Sequence, residues 1–298
     1  MKHVIVTGGC GFIGSALVKQ LNRHRLVPTI IDIRKPTSSL RGLEFRFKMI
    51  DVAVRNTSIT KLFQNIGQTV VHLAAMHYIP ECEMHPQECF RTNVYGTYNI
   101  VDLVKKSRGS RLLFASSGAV YPSSSKNLDE LSELQPDSIY GETKKLAESI
   151  IQGHLNGRNK IFRLFNVYGP NDNTPHLIPS IVHQLNKGDV VNLGNLHTER
   201  DYIFISDVVS CFIKEILKPR PAPIYNIGTG VGSSAARIMS EVENIINRSI
   251  RVRTASTLLR STDKERLVSN PRKARNDYEI KNFISLNQGL SALLNNKV

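Results

Sequence analysis

No apolar stretch among the 298 residues approaches the length of a membrane-spanning helix, so no membrane partner is expected. No charged region followed by an apolar run precedes the first strand-like segment. The chain is therefore expected to lack a secretory signal and to be cytoplasmic. Cysteine is scarce: Cys10, Cys82, Cys89 and Cys211 show no paired short spacing. That pattern indicates neither a disulfide framework nor a zinc site, and no metal is expected. There is no internal repeat and no long linker. Acidic residues are few, 25 against 39 Lys and Arg, leaving a formal charge of +14. Between Arg248 and Lys281 ten basic residues face four acidic ones. Such an excess is either a solvated basic face or the footprint of an anionic partner. No nucleic-acid-binding motif accompanies it, so a nucleotide ligand is expected rather than RNA.

What is present is an ordinary globular composition, 41% hydrophobic and 21% charged, long enough for a sizeable core. The chain opens with the apolar run Val4–Thr7, followed by Gly8, Gly11 and Gly14 at i, i+3 and i+6. Ile13, Ala16, Leu17 and Leu21 then recur at helical spacing. A strand, a glycine-rich turn and a helix in this order suit a pyrophosphate. Gly8 permits a tight turn, Gly11 lets backbone approach the phosphates, and Gly14 lets helix and strand pack closely. The helix aims its positive amino end at the anion. A second apolar run ends at Asp32, eighteen residues past Gly14, where a carboxylate would hold the adenosine ribose. Arg34 is placed to contact a 2′-phosphate, but Asp32 would repel one, which favours NAD over NADP.

Further apolar runs, Pro28–Asp32, Val70–Leu73, Leu112–Ala115 and Ile161–Phe165, alternate with helical patterns at Phe12–Arg23, Asn93–Lys106 and Ser138–His154. This alternation predicts an α/β fold: a Rossmann-type, doubly wound parallel sheet covered on both faces. Past Asn166 the alternation weakens. Residues 1–165 are therefore expected to form the dinucleotide-binding domain and 166–298 mainly a smaller C-terminal α/β substrate domain. Tyr202–Val209 and Ile224–Thr229 again read as strands, so residues 202–229 are expected to return to the first domain.

Tyr140 and Lys144 lie four apart in a helical pattern, which stacks them on one face about 6 Å apart along the axis. A free tyrosine titrates near 10, a poor base at neutral pH. An adjacent ammonium and a positive nicotinamide ring would favour the phenolate. The run Leu112–Tyr121 carries Ser116 and Ser117 to the carboxyl edge of the expected sheet, where ligands bind in open α/β folds. A hydroxyl there can hold a substrate oxygen and share its proton with Tyr140.

With Thr7–Gly14, His72-Leu73-Ala74-Ala75, Asn93–Asn99, Ser116–Tyr121, Tyr140–Lys144, Arg163–Pro170, Arg200-Asp201-Tyr202 and Tyr225–Gly230 in order, the chain resembles the extended short-chain dehydrogenases/reductases. Within them it is similar to the NAD-dependent nucleotide-sugar epimerases and dehydratases, over residues 1 to about 275. The resemblance implies that Tyr140 is the acid/base, Lys144 its electrostatic partner and a ribose ligand, and Ser117 the hydroxyl that orients the sugar. Cofactor contacts are implied at Gly8, Gly11, Phe12, Ile13 and Gly14, at Asp32 and Arg34, and at Asp51 and Val52 beside the adenine. Leu73, Ala74, Ala75 and Asn93 complete that set. Asn166, Arg200 and Arg260 (followed by Asp263) are implied at the sugar diphosphate, where a bidentate guanidinium suits phosphate. His176–Pro179 and Val191–Leu193 are expected at the base. A homodimer is implied, with the Tyr140 helix and Asn93–Lys106 forming a four-helix bundle between subunits, using Ile100, Leu103, Val104, Leu146, Ile150 and Ile151.

Two departures bear on the reaction. The 4,6-dehydratases of this family carry an acid just after the catalytic hydroxyl; here Gly118 and Ala119 occupy those positions. In the loop His77–Cys82, Cys82 replaces an expected serine, and His77 stands where the 4-epimerases often have lysine. His77 is a candidate sugar contact, a second acid/base, or simply a loop residue. The reading is an NAD-dependent epimerase of a nucleotide-diphosphate sugar, acting by transient oxidation at C4. Its alternatives are a 4,6-dehydratase or 4-keto reductase and, from another class, a non-catalytic member of the fold that binds nucleic acid or senses redox state.

Overall fold

Four-residue apolar runs, each closed by a polar or glycine-rich turn, are too short for helices and pair as strands; the amphipathic stretches between them coil. The computed structural model describes residues 3–55, 57–258 and 264–295. The chain order begins β1 (Val4–Thr7), α1 (Phe12–Arg23), β2 (Thr29–Asp32), β3 (Arg46–Met49), α2 (Thr57–Leu62), β4 (Thr69–His72), α3 (Ile79–Met84), α4 (Pro86–Phe90), α5 (Gly96–Lys106), β5 (Arg111–Ser117), α6 (Ile139–Leu155) and β6 (Asn159–Leu164). It continues β7 (Asn166–Tyr168), α7 (Leu177–Leu185), β8 (Val190–Leu193), β9 (Glu199–Phe204), α8 (Ile205–Leu217), β10 (Ile224–Ile227), β11 (Gly232–Ser233), α9 (Ala235–Ile246), β12 (Arg251–Thr254), β13 (Arg266–Leu267), α10 (Arg272–Asp277) and α11 (Leu286–Leu294).

Seven strands form one parallel sheet in the order β10-β6-β5-β4-β1-β2-β3. Around its centre, β1 runs parallel to both β2 and β4, β2 to β3, and β4 to β5. The direction of winding reverses between β1 and β4, which makes the carboxyl ends of those strands the natural ligand crevice. Val4–Thr7 and Thr69–His72 are buried throughout, as a doubly covered parallel sheet requires.

The chain divides into two compact units. The first comprises residues up to Val120, Leu134–Arg163 and Val209–Tyr225. Its core joins Ile5, Val70, Leu112 and Phe114 of the sheet to Ile100 and Val104 of α5 and Ala147, Ile151 and Leu155 of α6. The second comprises Tyr121–Glu133, Leu164–Val208 and Asn226–Val298. It holds the β11-β9-β13 sheet with β7 added to β9, and the separate β12-β8 ladder.

Two sequence-based expectations change. Tyr202–Val209 is not one strand: β9 ends at Phe204 and helix α8 starts at Ile205. Val208, Val209, Phe212, Ile213 and Ile216 are buried while Ser206 and Ser210 are exposed, so the run opens an amphipathic helix whose first apolar residues read as the continuation of a strand. Asn93–Lys106 is helical, but its first three residues belong to a π-turn over Arg91–Tyr95, and regular α5 begins at Gly96. Among the described residues no helix is long and apolar enough to cross a membrane, and no group of three metal-ligating side chains assembles.

Candidate active site

In the first unit, the turn after β1 begins with Gly8 at φ +70°, a left-handed conformation that a side chain would strain. A Cβ on Gly14 would lie 2.2 Å from the Gly8 carbonyl oxygen, so only glycine lets α1 start this close to the turn. No side chain caps the first turn of α1, which runs from Phe12 and Ile13, and no acidic residue occupies it. Its amino end is thereby left to an anion. Asp32, at the end of β2, is buried, and its carboxylate accepts the Cys10 and Arg34 amide N–H groups, both at 2.9 Å. The exposed Arg34 guanidinium lies 3.8 Å from it. These features fit a dinucleotide.

Around that turn, Leu73 and Ala74 are held to Thr7: the Leu73 amide donates to the Thr7 carbonyl at 3.1 Å and the Ala74 amide reaches its hydroxyl at 3.3 Å. Ala75 follows, half-buried, and His77 is exposed. Asp51 pairs with Arg91 at 2.5 Å, and the Val52 carbonyl accepts from the Asn99 amide at 3.0 Å. Arg91 was not legible as a partner because forty residues separate it from Asp51. Asn93 is buried, with its amide donating to the Met76 carbonyl at 2.8 Å and Thr143 at 3.0 Å, and accepting the Met76 N–H at 2.8 Å.

Ser117, Tyr140 and Lys144 come together. The Ser138 hydroxyl caps α6 by accepting the Gly141 amide at 3.1 Å. Gly141 lets that first turn press on the strand end, since a Cβ there would meet the Ala119 carbonyl at 2.6 Å. Tyr140 is thus brought to hydrogen-bonding contact with Ser117. Lys144, one turn on and buried, donates to the Ala115 carbonyl at 2.8 Å. Its ammonium stands 5.8 Å from the Tyr140 ring centroid and 4.7 Å from that of Phe114.

The electrostatics differ from the sequence expectation. Burial pushes the Tyr140 phenol above its ordinary value, and the hydrogen bond with Ser117 opposes that rise. Burial lowers Lys144 to about 8, so the ammonium persists at neutral pH with little reserve. His72, also buried, is driven down to about 3 by desolvation and by Lys144. It stays neutral, bridging the Thr7 hydroxyl at 2.6 Å and the Thr97 hydroxyl at 3.0 Å. Beneath Lys144, Glu148 accepts from Arg163 at 2.7 Å and from the Ser116 hydroxyl. This buried pair fastens α6 to β5 and β6; the sequence showed Arg163 only as part of a motif.

In the second unit, Asn166 sits exposed at the start of β7 and pairs in register with Tyr202 of β9. The Arg200 guanidinium donates to the Lys264 carbonyl at 2.7 Å. Next to it Asp201, fully buried, receives donors from Thr229, Gly230 and Ser269, with Thr229 N–H at 2.8 Å and Gly230 N–H at 2.9 Å. That carboxylate organises the turn after β10. His176 precedes α7, and Val191 and Leu193 lie buried in β8. Arg260 and Asp263 lie outside the described residues.

A parallel sheet with a glycine turn at its switch point, and a serine, tyrosine and lysine at the neighbouring strand and helix, fit an enzyme that works with a bound dinucleotide. Residues 4–228 match the NAD dependent epimerase/dehydratase family, and the chain belongs to that family, whose cofactor is NAD. It is 30% identical over 260 residues to human dTDP-D-glucose 4,6-dehydratase, covering 82% of this chain and 74% of the relative. It is 27% identical to the probable UDP-arabinose 4-epimerase 3 of Arabidopsis thaliana, covering 85% and 70%. Among solved structures it is similar to MoeE5 in complex with UDP-glucuronic acid and NAD, with a TM-score of 0.89, 25% identity and coverage of 99% and 100%.

Proposed function

We propose that the protein is a nucleotide-sugar epimerase acting at C4. The observation that carries this reading is the strand end at Ser117. The short turn that follows, Gly118–Val120, is buried and offers no carboxylate beside the hydroxyl. Elimination of water across C5 and C6 needs an acid in that position to protonate the leaving hydroxyl. Epimerisation needs only one proton to leave and return at a single oxygen.

Ser117 accepts or donates at the sugar C4 oxygen and holds it against Tyr140. Tyr140 takes the C4 hydroxyl proton and gives it back after the sugar has turned. Lys144 keeps positive charge next to the phenol and so opposes the burial that holds the phenol neutral. NAD, when bound, supplies a reversible hydride acceptor. Asp32 and the amino end of α1 would hold its ribose and pyrophosphate, while Asn166 and Arg200 are the candidate ligands of the sugar diphosphate.

We also infer a homodimer through α5 and α6. Ile100, Leu103, Val104 and Ile151 belong to the interior, but Tyr95 (53% exposed), Tyr98 (41%) and Leu146 (41%) leave an apolar outer face.

A second reading rests on the dehydratase similarity at 30% identity. One experiment separates the two: proton NMR of NAD-loaded protein incubated with UDP-, dTDP-, CDP- and GDP-hexoses. A C4 epimer is expected without net reduction of cofactor. A 4-keto-6-deoxy product would replace the epimerase reading with the dehydratase one. Tyr140→Phe should abolish turnover while NAD binding is kept.

A further inference from the structure

The second unit carries two adjoining cavities. The first, of about 300 Å³, is walled by Tyr202, Phe283, Ile284 and Leu286, with the exposed Arg237 and Arg275 also lining it. Tyr168 meets the Tyr202 ring edge-on at 6.3 Å and supports that wall. The second cavity, of about 390 Å³, is lined by Arg272, Arg275, Asn276 and Lys281 among others. Arg275 belongs to both, so the apolar cavity passes into the basic one at its side chain. Each is large enough for part of a small molecule, whose sites start near about 300 Å³.

The positive charge there is not compensated. Among the described residues no Asp or Glu lines either cavity. The Arg237 guanidinium donates to the Gly232 carbonyl at 3.4 Å and that of Arg275 to the Lys281 carbonyl at 2.7 Å. Backbone oxygens thus orient both groups without neutralising them. Lys273 differs, since it pairs with Glu130 at 3.3 Å and lines neither cavity. Arg272, Arg275 and Lys281 come from the basic run between Arg248 and Lys281, so part of that excess gathers at one place without counter-charge.

We propose that the two cavities form a second nucleotide site, taking a nucleoside polyphosphate. The apolar cavity receives the base against Tyr202 and Phe283, and the Thr229 and Ser233 hydroxyls that also line it offer hydrogen bonds to polar edges. The phosphates run past Arg275 to Arg272 and Lys281. A guanidinium suits them because its planar fork presents two parallel N–H donors to one phosphate. An inorganic anion would leave the apolar walls unfilled, and a neutral ring would leave the guanidiniums without an anion. Only a ligand carrying both parts satisfies both cavities. Asn166 and Arg200, the candidate ligands of the sugar diphosphate, line neither cavity, so this site is separate from the one proposed for substrate.

The sequence has no tryptophan, so Phe283→Trp places a lone fluorescent reporter in the apolar cavity. The full-length, NAD-loaded variant is titrated with UTP, CTP, GTP and ATP, and with the parent nucleosides and inorganic tripolyphosphate for comparison. At least one triphosphate should change the emission saturably, binding at least about tenfold more tightly than its nucleoside and than tripolyphosphate. Arg275→Ser in this background should weaken that binding at least about tenfold, and Arg200→Ser should leave it in place. Calorimetry of the wild-type chain against Arg275→Ser, with the same triphosphates, repeats the test without the tryptophan in case that substitution disturbs folding. No saturable binding of any triphosphate, or tripolyphosphate binding as tightly, would overturn the proposal. So would a loss in Arg200→Ser but not in Arg275→Ser, which would return the nucleotide to the sugar-diphosphate site. The measurement reads binding and not turnover, so this proposal and the epimerase reading fail separately.

Discussion

The Lys144 ammonium is anchored by a carbonyl, that of Ala115 at 2.8 Å, and carries no carboxylate partner within hydrogen-bonding distance among the described contacts. A dipole offsets only part of the cost of burying a charge, which is why this lysine titrates near 8 while an ordinary one titrates near 10.5. The consequence is a pH limit on catalysis. Activity should decline as pH rises through about 8, because the charge opposing the neutral phenol is lost. Lys144→Arg, permanently charged, should turn over at least about tenfold more slowly but without that basic limb. The pH profile of kcat/KM on the nucleotide sugar identified by NMR checks this; a limb near pH 8 retained in the arginine variant would refute it.

His72 governs stability at the acid side. Its folded value, about 3, lies below the ordinary 6.5, so between these limits the unfolded chain binds a proton that the folded one does not. Stability is fully present above pH 6.5 and falls as pH drops. The slope amounts to about 2 kcal/mol between pH 6.5 and 5. Urea unfolding at the two pH values should show this loss, and His72→Asn should remove most of it. An unchanged slope in the variant would assign the acid sensitivity elsewhere.

The pair Glu148–Arg163 is nearly solvent-free, with both side chains at most 3% exposed. Glu148→Gln leaves a buried guanidinium without its counter-charge and should cost about 3–5 kcal/mol. Replacing both, as Glu148→Leu with Arg163→Met, should recover most of that loss, since an apolar pair avoids desolvation altogether. Denaturant midpoints measured on the single and double variants decide the matter, and a double variant no better than the single would show that the pair itself is stabilising.

Tyr98 and Leu146 offer a test of self-association. Tyr98 stacks with Tyr95 at 6.3 Å between centroids and meets the His154 ring edge-on at 6.4 Å, which presents a flat aromatic surface to the outside of the unit. Leu146→Glu combined with Tyr98→Glu should weaken a dimer at least about a hundredfold without unfolding the monomer. Light scattering at micromolar concentration reads this directly, and a wild-type monomer there would remove the homodimer from the proposal.

The sequence by itself determined whatever depends on neighbours along the chain. Gly8, Gly11 and Gly14 announce a phosphate turn because the strand, turn and helix that use them are contiguous. Tyr140 and Lys144 reveal a common face because a helix repeats every 3.6 residues. Ser117 follows from the length of the strand that ends on it. The lysine's weak hold on its proton was invisible, because desolvation depends on what covers a side chain and not on its position in sequence. Only the tertiary structure decided which distant residues meet: Asp51 with Arg91, and Ser116 and Arg163 with Glu148. Those encounters require the strand order and the packing of helices on the sheet. Period and composition carry no record of either, because a contact between elements is fixed by packing after the elements have formed.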